Sequence, residues 1–112
     1  KDKSTIIIND KKYAKLLFVL TTKHNNYKEN EIFVKKLNSI LNKKYQSLSR
    51  GIMYREDVIF NQDLSPFSIL LEVGGVENTI DEVFNTCEAI SEVLTIYIKE
   101  KQKNSLKNML VI

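Results

Sequence analysis

The sequence predicts an α/β fold in which a mainly parallel, twisted sheet is flanked by helices. Short apolar runs rich in β-branched residues alternate along the chain with segments whose apolar residues recur at helical spacing, which is the order of an α/β layer structure. The run from Leu16 to Leu20 is apolar without interruption, as is typical of a strand covered on both faces in a parallel sheet. The length of 112 residues fits one domain or a piece of one, so we take residues 1–112 as a single domain.

The first part of the chain contains two strand candidates. Residues 5–9 form a short β-branched run that ends in an Asn-Asp turn signal, and residues 14–22 form a longer candidate. Sites in open α/β sheets collect beyond the carboxyl ends of the strands. We therefore expect residues 21–26 and 72–78 to meet at one edge of the sheet.

A polar loop and a helix follow. Residues 23–30 are polar, and apolar residues recur on one side from about 28 to 45, which predicts an amphipathic helix. Three asparagines are candidate caps for its first turn: Asn25, Asn26 and Asn30.

The middle of the chain is predicted to return to the sheet. Residues 46–51 form a connector, 52–60 a short strand with a charged turn, and 61–66 a loop closed by the only proline. Residues 67–73 form another apolar strand, interrupted by Glu72 and ended by two glycines.

A long helix is predicted from about 79 to 102. Thr79 and Glu82 have the Thr-x-x-Glu spacing of a capping box. The tail 103–112 extends this helix, adds an edge strand or stays loose. An apolar stripe recurs at three- and four-residue steps, formed by Ile80, Val83, Phe84, Cys87, Ile90, Val93, Leu94, Tyr97 and Ile98.

The composition excludes several classes of function. With one His and one Cys, the chain cannot form a disulfide framework, and it offers one nitrogen and one sulfur to a zinc site that needs three or four ligands. The 17 basic residues are scattered among 14 acidic ones and only two are arginines, so no nucleic-acid partner is predicted. No signal segment or membrane span is visible and the first residue is not Met, so we expect a segment of a longer protein.

Glu72 is the most informative candidate residue. A carboxylate near the end of an apolar strand is costly to bury, and desolvation raises its pKa towards the range where it serves as a general base. Pairing with a nearby lysine, or exposure at the strand end, explains the same residue without a function.

The residues that follow Glu72 have both functional and structural explanations. Gly74 and Gly75 would let a substrate or metal approach the backbone closely, or would simply form the turn from strand to helix. Asn78 orients a site or caps the helix.

Five further residues are weaker candidates. Arg50 would hold a carboxylate in a bidentate fork or form a structural salt bridge. Asn61 and Gln62 precede the last strand as possible substrate-binding amides or ordinary loop residues. His24 and Cys87 are formally a Cys–His pair, which requires Cys87 to be exposed beside His24. We instead expect a surface histidine and a core cysteine.

Two blocks of the sequence together resemble the C-terminal part of the stage II sporulation protein P family. The first spans residues 60–79 and contains Asn-Gln-Asp-Leu-Ser and Leu-Glu-Val-Gly-Gly followed by Asn-Thr. The second is Leu-Ser-Arg-Gly-Ile at 48–52. The strand candidate 14–20 and the helix 79–94 fit the same register, so the resemblance covers about residues 5–100.

This resemblance implies a zinc-dependent, amidase-like cell-wall hydrolase of the N-acetylmuramoyl-L-alanine amidase type. The implied substrate is peptidoglycan, cut between the lactyl group and the L-Ala of the stem peptide, with endopeptidase activity also attributed to the family. The implied setting is the septal wall during engulfment of the forespore. The parent is expected outside the cytoplasm, with a membrane anchor beyond this segment and with stage II sporulation proteins D and M as partners.

The resemblance also assigns roles to residues. Glu72 matches the Glu of the Leu-Leu-Glu-Val-Gly block, whose implied role is general base on a zinc-bound water and then proton donor to the leaving amine. Asn78 matches the asparagine that shapes the loop around it. Gln46-Ser47 replaces the usual Pro-Gly, and the stretch 53–59 is short, so details of the substrate loops differ.

The zinc ligands of the family lie in His and Glu motifs N-terminal to this region, including an Asp-x-His-Arg-Asp-like block that this chain lacks. We therefore expect an incomplete domain with zinc in the parent and none in this segment, and no activity of the segment alone. The competing hypothesis is a non-catalytic α/β module, a degenerate amidase that binds the wall or a partner.

Overall fold

The computed structural model describes residues 4–111, with side chains described for residues 4–109. It contains five strands, two helices and one 3₁₀ turn within that range. In chain order these are β1 (Thr5–Ile8), β2 (Lys11–Ala14), β3 (Leu16–Thr21), α1 (Tyr27–Lys44), β4 (Ser49–Arg55), the 3₁₀ turn Gln62–Leu64, β5 (Leu70–Val73) and α2 (Ile80–Val111).

The strands form two sheets. A three-stranded sheet has the order β4-β3-β5, and β1 and β2 form a separate hairpin. The α/β class is confirmed, but strand directions are mixed: β3 is parallel to β4 and antiparallel to β5, and the hairpin is antiparallel. Helix α1 supplies the crossover that a parallel pair requires, whereas no helix long enough for a crossover lies between β4 and β5.

The core lies between the three-stranded sheet and the two helices. Leu16, Phe18 and Leu20 point from one face of β3 and are fully buried, because alternate residues of a strand share a face. The predicted helix at 28–45 is confirmed as α1. The same buried cluster includes Phe33, Val34, Leu37 and Leu41 from α1, and Ala89 and Val93 from α2. Helix α2 contacts β2 and α1.

Helix α2 begins at the predicted capping box. The Glu82 backbone N–H donates to Thr79 Oγ1 at 3.1 Å, and the Thr79 N–H donates to Glu82 Oε1 at 3.0 Å. The helix continues to Val111, so the tail extends it, and Ile112 lies outside the described residues.

The predicted apolar stripe of α2 divides between two faces. Val93 is buried, whereas Ile80, Phe84 and Ile98 are exposed. Cys87 is exposed as well, so the expectation of a core cysteine is wrong. The buried face of α2 is centred on Ala89 and Val93. Apolar residues also occur outside this face, and those residues are exposed to solvent.

The side chain of Gln62 extends the sheet where β5 ends. The pairing of β3 with β5 stops at Val19. Beyond it, Gln62 Nε2 donates to Val19 O at 2.8 Å, and Thr21 N donates to Gln62 Oε1 at 3.0 Å. A side-chain amide carries the same donor and acceptor as a peptide group. Gln62, 1% exposed, therefore satisfies backbone groups that would otherwise be buried without partners.

Asn78 holds together the opposite end of the sheet. Its Oδ1 accepts from Ser4 N at 3.1 Å and Gly75 N at 2.7 Å. Its Nδ2 lies 2.9 Å from both Thr5 Oγ1 and Glu82 Oε1. The start of β1, the end of β5 and the start of α2 are thus joined through one amide.

Glycine is required where β5 turns towards Asn78. Gly74 has φ +68°, and a Cβ there would lie 2.6 Å from Asn78 Oδ1. Gly51 has φ +99° but has open space around its Cβ position.

We expect Gly74→Ala to lower the free energy of unfolding by about 2–4 kcal/mol, and Gly51→Ala by about 1 kcal/mol, since only the first adds a clash to the backbone strain. Urea denaturation of both variants measures the difference, and equal losses would contradict the role of Asn78.

We expect Gln62→Leu to lower the free energy of unfolding by about 2–5 kcal/mol, because it leaves the Val19 carbonyl and the Thr21 N–H unpaired in a buried site. The matched control is Gln46→Leu, the same chemical change at an exposed position, which should stay within about 0.5 kcal/mol of the parent. If both leucine variants denature at the same urea concentration, Gln62 does not stabilise the edge of β3.

Candidate functional site

Glu72 lies on the face of the sheet that points away from the helices. We call this the outer face; it is formed by Leu17, Val19, Thr21, Met53, Arg55, Leu70 and Glu72, which alternate with the core-facing residues. Leu17, Met53 and Leu70 are half-buried. Glu72 is opposite Leu17 on the central strand. A carboxylate thus lies beside an apolar surface on the outer face.

Glu72 is exposed, so the expectation of a desolvated carboxylate is wrong. Strand β5 is a four-residue edge strand, so within residues 4–111 it has a neighbouring strand on one side only. Farther along the outer face, Val19 and Thr21 are buried. Pairing with a lysine is not observed either, because no Lys or Arg nitrogen lies within 4.0 Å of this carboxylate in the described part of the chain.

Arg55 is also on the outer face, where it is paired with Asp57. Its Nε and a terminal nitrogen donate to the two carboxylate oxygens of Asp57 at 2.8 and 2.7 Å. These hydrogen bonds are the main cause of the raised pKa of Arg55, and the charge of Glu72 raises that pKa further. The same pairing lowers the pKa of Asp57. The charge of Arg55 is therefore neutralised by Asp57, and this ion pair is at the end of the outer face beyond Thr21, whereas Glu72 is opposite Leu17.

The antiparallel direction of β5 separates the sequence-predicted candidates. Gly74, Gly75 and Asn78 follow the carboxyl end of β5, beside the amino end of β3, where Gly74 N donates to Lys15 O at 2.7 Å. Asn61 and Gln62 lie at the carboxyl end of β3, about 20 Å away along its six residues. The expectation that residues 21–26 and 72–78 share one edge is therefore wrong.

Arg50 lies near the amino end of the parallel pair. It is the second residue of β4 and is exposed. It shares this end of the sheet with Gly74, but β3 separates its strand from that of Glu72. No salt bridge of Arg50 occurs among the residues described. Its side chain is thus available to a ligand at the rim of the sheet.

Asn61 is exposed and adopts φ +61° at the start of the 3₁₀ turn. A left-handed conformation is tolerated by asparagine better than by most residues. The side-chain amide of its neighbour Gln62 is hydrogen-bonded to the backbone of β3. Of the two amides proposed before β5, only that of Asn61 faces solvent.

The carboxyl end of β3 contains a polar cluster that the sequence did not reveal. Asn30, fully buried in α1, donates from Nδ2 to Ser65 O at 2.9 Å and Pro66 O at 2.7 Å, whereas its Oδ1 is buried without a hydrogen-bond partner. Asn30 was expected only as a cap. Its position on the apolar stripe of α1, three residues before Phe33, was the available signal. The loop 65–68 is held against α1 by this side chain and by the edge-to-face contact of Phe67 with Phe33, whose ring centroids are 5.3 Å apart.

His24 has both ring nitrogens engaged. Its Nε2 lies 3.0 Å from Thr21 O, and Asn26 N donates to its Nδ1 at 3.1 Å. A neutral imidazole with its proton on Nε2 satisfies both contacts. Asn26 itself begins α1 without a side-chain cap bond and instead donates to Asp63 O. His24 therefore shapes the loop after β3.

The Cys–His enzyme is excluded by geometry. Cys87 is exposed, as that hypothesis requires, but Thr86 beside it donates to Ala14 O at 2.6 Å, close to the start of β3. His24 follows the other end of the strand. The two groups are separated by about the 20 Å length of β3.

The described residues offer no metal cage. No group of three or more His, Cys, Asp or Glu side chains gathers around a common point within them. In the same range, no helix is long and apolar enough to span a membrane.

Comparison with known proteins identifies relatives. The family model described as stage II sporulation protein P (SpoIIP) matches residues 1–95. Stage II sporulation protein P of Bacillus subtilis (strain 168) is 33% identical over 99 residues, which are 85% of this chain and 25% of the relative. The chain thus spans about a quarter of that relative's length, and no solved structure matches it. The chain belongs to the stage II sporulation protein P family.

Proposed function

We propose that this chain is the C-terminal portion of a peptidoglycan hydrolase of the N-acetylmuramoyl-L-alanine amidase type, acting on the septal wall during engulfment. The parent would be membrane-anchored outside the cytoplasm and would act with stage II sporulation proteins D and M. Family membership supports the proposal, as does the quarter of the relative's length that the chain spans.

In this proposal, Glu72 is the general base. The observation that carries it is the position of an exposed, unpaired carboxylate on the outer face, next to half-buried apolar side chains. There it would take a proton from the attacking water and return it to the leaving amine. Binding of substrate over Leu17 and Leu70 would exclude water and strengthen the interactions of the carboxylate.

Zinc does not fit the described residues of this chain, since they form no group of three ligands. We place the zinc ligands of the parent outside this chain and assign no step of the reaction to the metal. The end of β5 is fixed by Gly74, Gly75 and Asn78, which we assign a structural role. They thereby fix the register that places Glu72 opposite Leu17 on the outer face. Arg50 and Asn61 are assigned to substrate binding at the two ends of the sheet.

A non-catalytic wall- or partner-binding module is the second candidate function. The exposure of Glu72 favours it, because the side chain is in contact with solvent and no group of three ligand side chains gathers within the described residues. In a degenerate hydrolase the outer face would bind peptidoglycan without cutting it. The two candidates therefore differ in whether the parent releases stem peptides.

We expect Glu72→Gln in the full-length parent to reduce kcat for stem-peptide release by about 10²–10⁴-fold, because the proton acceptor is removed. Thermal stability and zinc content should stay unchanged, since the side chain is exposed. The matched control is Glu77→Gln, an exposed carboxylate in the next loop, which should retain full activity. Unchanged hydrolysis by the Glu72 variant removes it from the mechanism; a parent that binds walls but releases nothing supports the binding module.

A further inference from the structure

A basic cleft lies between α1 and the C-terminal half of α2. Its volume is about 570 Å³. Four lysines line it, two from each helix: Lys36, Lys43, Lys101 and Lys103. Glu100 is the one acidic residue in its lining.

The cleft concentrates the positive charge of the chain. The four lysines and one glutamate of the cleft lining sum to a charge of +3. This equals the formal net charge of all 112 residues, because the other 13 basic and 13 acidic residues cancel. None of the four lysines forms an ion pair within the described residues. By contrast, Lys44 is paired with Glu92 at 3.0 Å just outside the cleft. Lys101 Nζ lies 5.7 Å from the ring centroid of Phe67 and 5.8 Å from that of Tyr97, contacts that leave its charge in place. Like charges on facing helices repel each other, and an anion between them would relieve this repulsion.

The neutral lining indicates the kind of anion. Ser39, Asn104 and Asn108 add hydroxyl and amide groups, and the ring of Tyr97 and the side chain of Ile40 add apolar surface. Hydroxyls and amides suit a ligand rich in hydroxyl groups, and a tyrosine ring suits the apolar face of a sugar. A nucleic-acid groove would be expected to contain arginines and several stacking aromatics, whereas this lining contains no arginine and one aromatic ring.

We propose that the α1–α2 cleft binds an anionic glycan, a chain of sugar units that carry carboxylates or phosphates. Lysine ammonium groups attract such charges without demanding one geometry, which suits a repeating polymer. The cleft is on the helix side of the sheet and Glu72 is on the outer face, so this site is separate from the proposed catalytic residue. Most of its lining residues follow residue 95, where the family match ends.

The 112-residue chain can be titrated with polygalacturonate, a carboxylated polysaccharide, and with neutral dextran of similar size as the control polymer. We expect polygalacturonate to bind, dextran not to bind, and the affinity to fall as sodium chloride is raised, because salt screens exposed charges. Calorimetry gives the affinity. Amide shifts of residues 36–43 and 97–108 in NMR spectra give the location.

Two double variants with the same change in net charge separate the effect of the cleft lysines from the effect of overall charge. Lys101→Gln with Lys103→Gln should weaken polygalacturonate binding roughly tenfold, as two exposed charge contacts are lost. Lys12→Gln with Lys23→Gln, two exposed lysines elsewhere, changes the net charge equally and should leave the affinity unchanged. Thermal melting checks that both double variants fold.

Three results would overturn the proposal. The first is equal weakening by the two double variants, which would mean that only net charge matters. The second is equal binding of dextran. The third is tighter binding of single-stranded DNA, or of vesicles rich in phosphatidylglycerol, than of polygalacturonate, which would assign the cleft to a nucleic acid or a membrane surface. None of these measurements depends on hydrolysis, so failure here leaves the role proposed for Glu72 intact.

Discussion

The fold depends on satisfying the backbone hydrogen bonds of β3, the central strand of the larger sheet. One of its edges pairs with β4, but the other pairs with β5 only as far as Val19. The remaining groups of Val19 and Thr21 are buried and are paired by the side-chain amide of Gln62. Because an unpaired buried backbone group costs about 1–3 kcal/mol, the side chain of Gln62 holds the 3₁₀ turn against the edge of β3, and Asn30 holds the loop that follows it.

Local signals predicted the elements, whereas long-range pairing decided how they are arranged. Both helices are indicated by residues that are three or four positions apart: the capping box of Thr79 and Glu82, and the apolar stripe of α1. A local stretch of sequence is therefore sufficient to predict these helices. The direction of β5 depends on a return across the sheet, which no local spacing encodes. The sequence predicts Gln62 only as a possible site amide, because the backbone groups that it pairs with lie about 40 residues earlier.

The candidate site followed the same division. Glu72 was located correctly on a strand, but its exposure depends on what covers the outer face, and this is a tertiary property. Asn78 was expected to shape a loop, and its contacts with Ser4, Gly75 and Glu82 agree with that expectation. The sheet thereby separates two surfaces: a carboxylate on one side and a lysine-lined cleft between the helices on the other.

The length of α2 has a consequence for its stability. Its first half is held by the buried side chains Ala89 and Val93, whereas all the described side chains from Ile98 to Met109 are exposed. Amide hydrogens around Ala89 would exchange with solvent only when the core opens, and those of the last turns by local fraying. One continuous helix thus joins a half that is anchored in the core to a half whose described side chains are all exposed. The second half forms one wall of the basic cleft, so a polymer bound there would stabilise it against fraying.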